Sequence, residues 1–213
     1  MPSLARLLRN VAIALCLAAP VAVAQTDGQT AEAPLEERGY ALGDMVIGAE
    51  DAPVEIIEYS SLLCPFCAQF HDETFPEIKR RYIDTGQVRF VYRDIFGDQV
   101  GLWATMLTRC GGEEAFYESI AIFYAQQDSF LDMVRGEGPG PALQRMGQLI
   151  GLSPERLEQC LNDEPFMLSL VEDLQANVES SGVQSTPTFV INGETHTGFR
   201  PVDDFAALIE DAL

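Results

Sequence analysis

Val54-Glu55-Ile56-Ile57-Glu58-Tyr59-Ser60-Ser61-Leu62-Leu63-Cys64-Pro65-Phe66-Cys67 is the stretch on which the reading of this chain turns. Val54 to Tyr59 is β-rich and mostly apolar, as a buried central strand is. From Phe66 to about Ile83 the pattern changes, and Phe66, Phe70, Phe75, Ile78 and Tyr82 roughly follow helical spacing. The first cysteine of Cys64-Pro65-Phe66-Cys67 therefore falls at a helix N-terminus, where unpaired N–H groups and the helix dipole favour an anion. The thiolate is the reactive form of cysteine, so Cys64 is expected to be a nucleophile. Two other readings stay open on spacing alone: an inert structural ring, and a metal site in which His71 joins Cys64 and Cys67 on one helix face. Zinc would need further ligands, and the chain has no second paired motif, so His71 is read as a polar residue on the helix flank.

Outward from the motif, Asp51-Ala52-Pro53 is a turn and ordered structure is expected from about Tyr40. Pro76 should kink the helix. Asp84-Thr85-Gly86 stops it, and Val88 to Tyr92 alternates like a second strand. Residues 98–180 read as helical throughout, with Val100 to Arg109 and Glu113 to Gln127 separated by Gly111-Gly112. Gly136-Glu137-Gly138-Pro139-Gly140-Pro141 reads as a loop. Ser153-Pro154-Glu155 opens another helix with Ser153 as N-cap. Pro165 divides that helix from a longer one, Phe166 to Glu179. Thr188 to Ile191 and Glu194 to Thr197 read as strands joined at Asn192-Gly193, the strongest short hairpin signal. Pro201-Val202-Asp203-Asp204 leads into a terminal helix. The order is β, α, β, a helical block, then β, β, α, with no internal repeat.

Residues 1–24 read as a secretory signal: Arg6 and Arg9, an apolar run from Val11 to Ala19, and Ala22-Val23-Ala24 before Gln25. A lipid anchor on Cys16 is disfavoured by the bulky Leu15 before it. Residues 25–40 read as a flexible polar leader. The whole chain carries 33 acidic and 13 basic residues. Residues 1–24 hold two arginines and no acid, so removing them leaves 33 acidic against 11 basic and a net charge of −22. Such acidity argues against nucleic acid and anionic membrane surfaces as partners. Cleavage also removes Cys16, and the four cysteines left suggest two disulfide pairs in an exported protein.

Taken together, these features resemble the DsbA-like exported thiol–disulfide oxidoreductases of the thioredoxin superfamily, over roughly residues 44–213. The resemblance rests on the Cys-Pro-Phe-Cys motif at a strand-to-helix junction and on Ser185-Thr186-Pro187-Thr188-Phe189-Val190-Ile191-Asn192-Gly193, which looks like the family's cis-proline loop and hairpin. It rests also on the inserted helical block and on Glu58, six residues before Cys64, at the place of the family's buried acid. The implied fold is an α/β thioredoxin fold over 41–213, a central mixed sheet flanked by helices, with a helical insertion at about 98–180.

The resemblance also implies roles. Cys64 is the attacking sulfur and Cys67 the resolving one. Glu58 is a buried proton acceptor for Cys67, although alternation along its strand leaves open a glutamate pointing at water. Pro187 is cis, and Thr186 presents backbone groups to the client chain. Cys110 and Cys160 are read as a structural disulfide closing a loop of about 50 residues, which stabilises by roughly 4 kcal/mol in a chain-entropy account; a redox-sensing bridge is the alternative. Trp103 and the aromatics Phe116, Tyr117, Phe123 and Tyr124 are read as helix packing. The implied protein is a periplasmic monomer without a bound cofactor, acting on newly exported cysteine-containing proteins and reoxidised by a DsbB-like membrane partner. Phe66 stands where such oxidases commonly carry histidine, which points to a weaker oxidant than the strongest members and leaves a disulfide isomerase or reductase of the same fold as the alternative.

Overall fold

The computed structural model describes residues 33–213, so the expected signal segment 1–24 lies outside the described residues. Five strands form one mixed sheet: β1 (Met45–Ile47), β2 (Val54–Ser60), β3 (Val88–Asp94), β4 (Thr188–Ile191) and β5 (Glu194–Thr197), in the order β1-β3-β2-β4-β5. β2 runs parallel to β3 and antiparallel to β4, which makes it the central strand. β1 is a three-residue edge strand, too short to show a period. Asn192 at φ +45° and Gly193 at φ +90° turn β4 into β5, a backbone that asparagine and glycine tolerate best.

Alternation along β2 puts Val54, Ile56, Glu58 and Ser60 on one buried face. Their ladder neighbours Val88, Phe90 and Tyr92 on β3, and Phe189 and Ile191 on β4, share it. Helix α1 covers this face from Pro65 to Ile83, and α8 (Val202–Ala212) packs beside it through Phe205 and Ile209. Phe70 lies at the centre, its ring 4.5 Å from Phe189 and 5.2 Å from Phe205 between centroids. Truncating so buried a phenylalanine to alanine costs about 3–5 kcal/mol. Pro76 does not end α1. The helix is α-helical over Pro65–Gln69 and Phe75–Ile78 and widens to π turns over Phe70–Thr74 and Lys79–Ile83. In the first π turn Phe75 N–H reaches back to the Phe70 carbonyl, and the chain stays helical through a proline that has no N–H to give.

Six helices lie between β3 and β4: α2 (Gln99–Arg109), α3 (Glu113–Ala125), α4 (Gln127–Glu137), α5 (Pro139–Leu149), α6 (Pro154–Leu161) and α7 (Glu164–Ser181). The loop expected over 136–141 is not one. Gly136 and Glu137 finish α4, Pro139 opens α5, and Gly138 alone turns the chain at φ +95°. Prolines in the first turn of a helix forfeit no internal bond, because the first N–H groups have no partner there. Likewise the helix expected to run to Gln127 stops at Ala125, and Gln127 begins the next one. Ser153 does cap α6, accepting from Arg156 N–H at 3.2 Å.

Cys110, at the end of α2, is joined to Cys160 on α6 with Cα atoms 6.0 Å apart, in a buried cluster with Tyr40, Met106, Phe166 and Leu170. The leader expected over 25–40 is described only from Ala33, and there it is anchored. Leu35–Glu37 form a 3-10 turn, Arg38 places its guanidinium on both oxygens of Asp163 at 2.8 and 2.9 Å, and the Tyr40 hydroxyl donates to Asp163 at 2.8 Å. Asp163 also caps α7 by accepting from Phe166 N–H. Among the described residues no helix is long and apolar enough to cross a membrane.

Burial alone would raise the Asp163 carboxyl, but the bonds from Arg38, Phe166 N–H and Tyr40 outweigh it and hold the group below its ordinary value. A depressed carboxyl contributes stability above its unfolded value, near 3.9, and loses it as pH falls through the folded one. Asp163→Asn should therefore lower unfolding free energy by about 1–3 kcal/mol at pH 7. The gap to wild type should close below about pH 4 in denaturant titrations run across pH.

Candidate active site

β2 ends at Ser60, and Ser61 to Leu63 carry the chain to Cys64, the N-cap of α1. Pro65 fills the first helical position with a backbone already set for it. Cys64 is partly exposed and Cys67, one turn on, is buried; both are free thiols. Phe66 between them is 58 % exposed, so it stands as an apolar rim beside the reactive sulfur. The Cys64 carbonyl accepts from the N–H groups of Cys67 and Ala68, each at 3.1 Å. It accepts as well from Gln127 Nε2 at 3.0 Å, and Gln127 bonds the Leu62 carbonyl at 2.7 Å. A buried amide at the start of α4 thus pins the backbone on both sides of Leu63.

The Thr186-Pro187 peptide is cis. Its loop is fixed by Gly198 N–H on the Pro187 carbonyl at 2.8 Å and by the Thr188 hydroxyl on the Ser185 carbonyl at 2.8 Å. The Cys64 thiol lies against this loop, its Sγ 3.2 Å from the Thr186 carbonyl oxygen. Two segments 122 residues apart in sequence so meet at one sulfur.

The two cysteines are pushed in opposite directions. The hydrogen bond from Cys67 is the largest influence on Cys64 and lowers it to about 5; burial opposes this, while Thr186 and the N–H groups of Cys67 and Phe66 add to it. Cys67 is raised far above a free thiol, by burial first, then by its bond to Cys64 and the nearby negative charge of Glu58. Phe66 offers no side-chain donor to the thiolate, but its backbone N–H does part of that work.

Glu58 is 0 % exposed. Its Oε1 accepts from the Ser60 hydroxyl at 2.7 Å, and His71 Nε2 lies 2.9 Å from Oε2 and 3.2 Å from Oε1. The expectation that His71 is simply a polar residue on the helix flank is thereby corrected: it is buried. The first π turn of α1 brings it inward, where its ring stacks on Tyr124 at 4.5 Å between centroids. With Nε2 given to Glu58, His71 is not turned toward the cysteines as a ligand. Among the described residues no three His, Cys, Asp or Glu side chains gather as a metal site. The Ser60 hydroxyl is also 2.9 Å from the Tyr124 hydroxyl, which is 2.9 Å from that of Tyr92. Tyr124, read from sequence as packing only, is therefore a polar member of the site. Ser60, His71, Tyr124 and Gln127 were all absent from the expected set. One signal was available for Ser60: it stands two residues from Glu58 on a strand, hence on the same face.

Residues 41–211 match the family model described as Thioredoxin. A Rickettsia conorii protein provisionally named a protein-disulfide oxidoreductase is 33% identical over 171 residues, covering 80% of this chain and 60% of that protein. The chain thus spans about three-fifths of that relative's length. Disulfide bond formation protein D of Bacillus subtilis is 28% identical over 178 residues, 80% of this chain and 78% of that one. The crystal structure of Wolbachia pipientis alpha-DsbA1 matches with a TM-score of 0.71 at 30% identity, covering 79% of this chain and 90% of that chain.

The opposed shifts of the two thiols set an expected reactivity. In the reduced protein Cys64 should alkylate rapidly at neutral pH with a rate that titrates near about 5, while Cys67 resists until the protein unfolds. Mass mapping of the alkylated sites against pH reads this directly; equal labelling of both cysteines would contradict it.

Proposed function

The chain belongs to the DsbA-like branch of the thioredoxin superfamily, and from that premise we propose that it is an exported protein-disulfide oxidoreductase that donates the Cys64–Cys67 disulfide to client proteins. The observation that carries the reading is the Cys64 sulfur. It is accessible, held down to about 5, and set against the backbone of the Thr186-Pro187 loop, where an extended client segment would find main-chain partners.

The exchange runs in two displacements. A client thiolate attacks Cys64, the Cys64–Cys67 bond breaks, and the Cys67 sulfur departs with the electron pair. A second client thiolate then attacks the client sulfur of the mixed disulfide and releases Cys64 as a thiolate. The client dithiol has become a disulfide and the enzyme disulfide a dithiol. Cys64 is a good leaving group because its thiolate is stabilised. That stabilisation also favours the reduced enzyme and so makes the disulfide an oxidant. Cys67 leaves into a desolvated site and needs a proton, for which Glu58 is the proposed acid, acting as base in the reverse direction.

The supporting assignments complete the reading. The Cys110–Cys160 disulfide is structural. The clients are newly exported cysteine-containing proteins in the periplasm, the chain acts as a monomer, and a DsbB-like membrane oxidase restores the disulfide. No cofactor is required, because the disulfide itself carries both electrons.

Two measurements test this. Equilibrium with glutathione should place the Cys64–Cys67 pair between about −220 and −120 mV, and a value near −270 mV would replace the oxidase by a reductant. Cys64→Ser should abolish oxidation of a reduced dithiol peptide, whereas Cys67→Ser should accumulate the peptide as a mixed disulfide on Cys64 in non-reducing mass spectra.

A further inference from the structure

Ser61, Leu62, Leu63 and Cys64, the residues between β2 and α1, form one small unit that touches both active-site sulfurs. The Cys64 N–H donates to the Ser61 carbonyl at 3.0 Å and closes the four residues into a turn. The Ser61 N–H points the other way and donates to the Cys67 sulfur at 3.4 Å. Cys64 itself lays its sulfur 3.2 Å from the Thr186 carbonyl oxygen. A shift of this turn therefore moves the surroundings of both thiols at once.

The turn is held from the helical block. The Leu62 carbonyl accepts from no backbone N–H among the described residues. Gln127 Nε2 supplies it at 2.7 Å and the Cys64 carbonyl at 3.0 Å, so one amide grips the turn on both sides of Leu63. Gln127 is 3 % exposed, and its own backbone is fixed. Beside it, the Gln126 N–H bonds the Ile122 and Phe123 carbonyls at 3.1 Å, and the Gln126 carbonyl takes the Phe130 N–H at 2.9 Å. The rings of Phe123 and Phe130 pack 4.9 Å apart between centroids across the break from α3 to α4. The grip bears on chemistry through one torsion. Cys64 is the N-cap of α1, with ψ at 120°. That angle sets where its carbonyl points, and with it the direction of the sulfur relative to the first N–H groups of the helix.

We propose that Gln127 is a positioning residue: by clamping the Ser61–Cys64 turn it holds both active-site sulfurs in place and so sets how strongly the disulfide oxidises. The proposal rests on the exchange chemistry assigned above and places part of its driving force in the helical block. The oxidised protein has no thiolate at Cys64, so losing the clamp weakens the reduced form alone. Above the Cys64 titration, each unit by which that sulfur rises shifts the exchange equilibrium tenfold toward the disulfide. A buried glutamine that only satisfied two carbonyls would change stability and leave this equilibrium untouched.

The test uses Gln127→Met, which keeps the length of the side chain and removes both donors, in the full chain. Thiolate absorbance against pH should show the Cys64 midpoint raised from about 5 by about one pH unit, the weight of one hydrogen bond. Equilibrium with glutathione should move about tenfold toward the disulfide, which is about 30 mV. Gln127→Glu, of the same shape but without the amide, should move both readings the same way. A folded Gln127→Met with the wild-type midpoint and the wild-type glutathione constant would overturn the proposal, whatever its loss in unfolding free energy. Wild type supplies an arm that needs no variant. The Gln127 side-chain amide signals should exchange slowly with solvent and shift as pH carries Cys64 through its titration. Amide protons that exchange freely or ignore that titration would also overturn it. In each of these failures the wild-type disulfide still exchanges with glutathione, which leaves the oxidoreductase reading standing. A wild-type Cys64–Cys67 pair that does not exchange at all would take down both.

Discussion

Glu58 occupies the middle of the central strand with none of its surface in water, and a carboxylate so placed must be answered by polar partners or be costly. Much of the site's architecture meets that demand. Ser60 lies two residues along the same strand face. His71 is turned inward by a π turn in the helix that covers the sheet. Tyr124 comes from the helical block, stacks on His71 and bonds Ser60. Three elements thus converge on one carboxyl, and Cys67 lies within its field. A polar network of this kind constrains as a unit: fully satisfied it fixes its members, and removal of one leaves the others buried without a partner.

The helical block is part of the site as well as a cover over it. Its α3 contributes Tyr124, and the break between α3 and α4 puts Gln127 on the carbonyls of Leu62 and Cys64. The far end of the block is closed by different means. The Cys110–Cys160 bridge, the stack of Tyr40 on Phe166 at 4.1 Å and the Arg38–Asp163 pair form a separate buried cluster with the start of the described chain.

What was legible in the sequence was whatever local chemistry decides alone. The Asn192-Gly193 turn, the Ser153 cap and the β2 strand itself follow from backbone preference and apolar content, and the structure has them where the residues put them. The points missed depend on position in a turn or on distant partners. Gly138 is the whole break between α4 and α5, because prolines 139 and 141 sit where a helix has no N–H bonds to lose. His71 has ordinary helical spacing from Cys67, and only the π turn, which no residue type announces, swings it toward Glu58. Gln127 is a surface residue by composition and a buried one because two carbonyls 63 and 65 residues earlier need a donor. For Glu58, alternation left the facing undecided, and the decision came from Tyr92 and Phe189, its neighbours on either side of the sheet.

The strong acidity of the chain and the lowered thiol of Cys64 look contradictory, and distance reconciles them. Charges separated by more than about 8 Å are largely screened at physiological salt, so the net charge acts weakly on any single exposed sulfur. The groups that set Cys64 are in contact with it: the Cys67 thiol, Thr186, and two N–H groups at the start of α1. The same motif gives Cys67 the opposite fate because one helical turn moves it from the rim to a site without water, close to Glu58. Identity of residue therefore says little about either cysteine. Depth decides which sulfur stands at the rim and which is shut away from water.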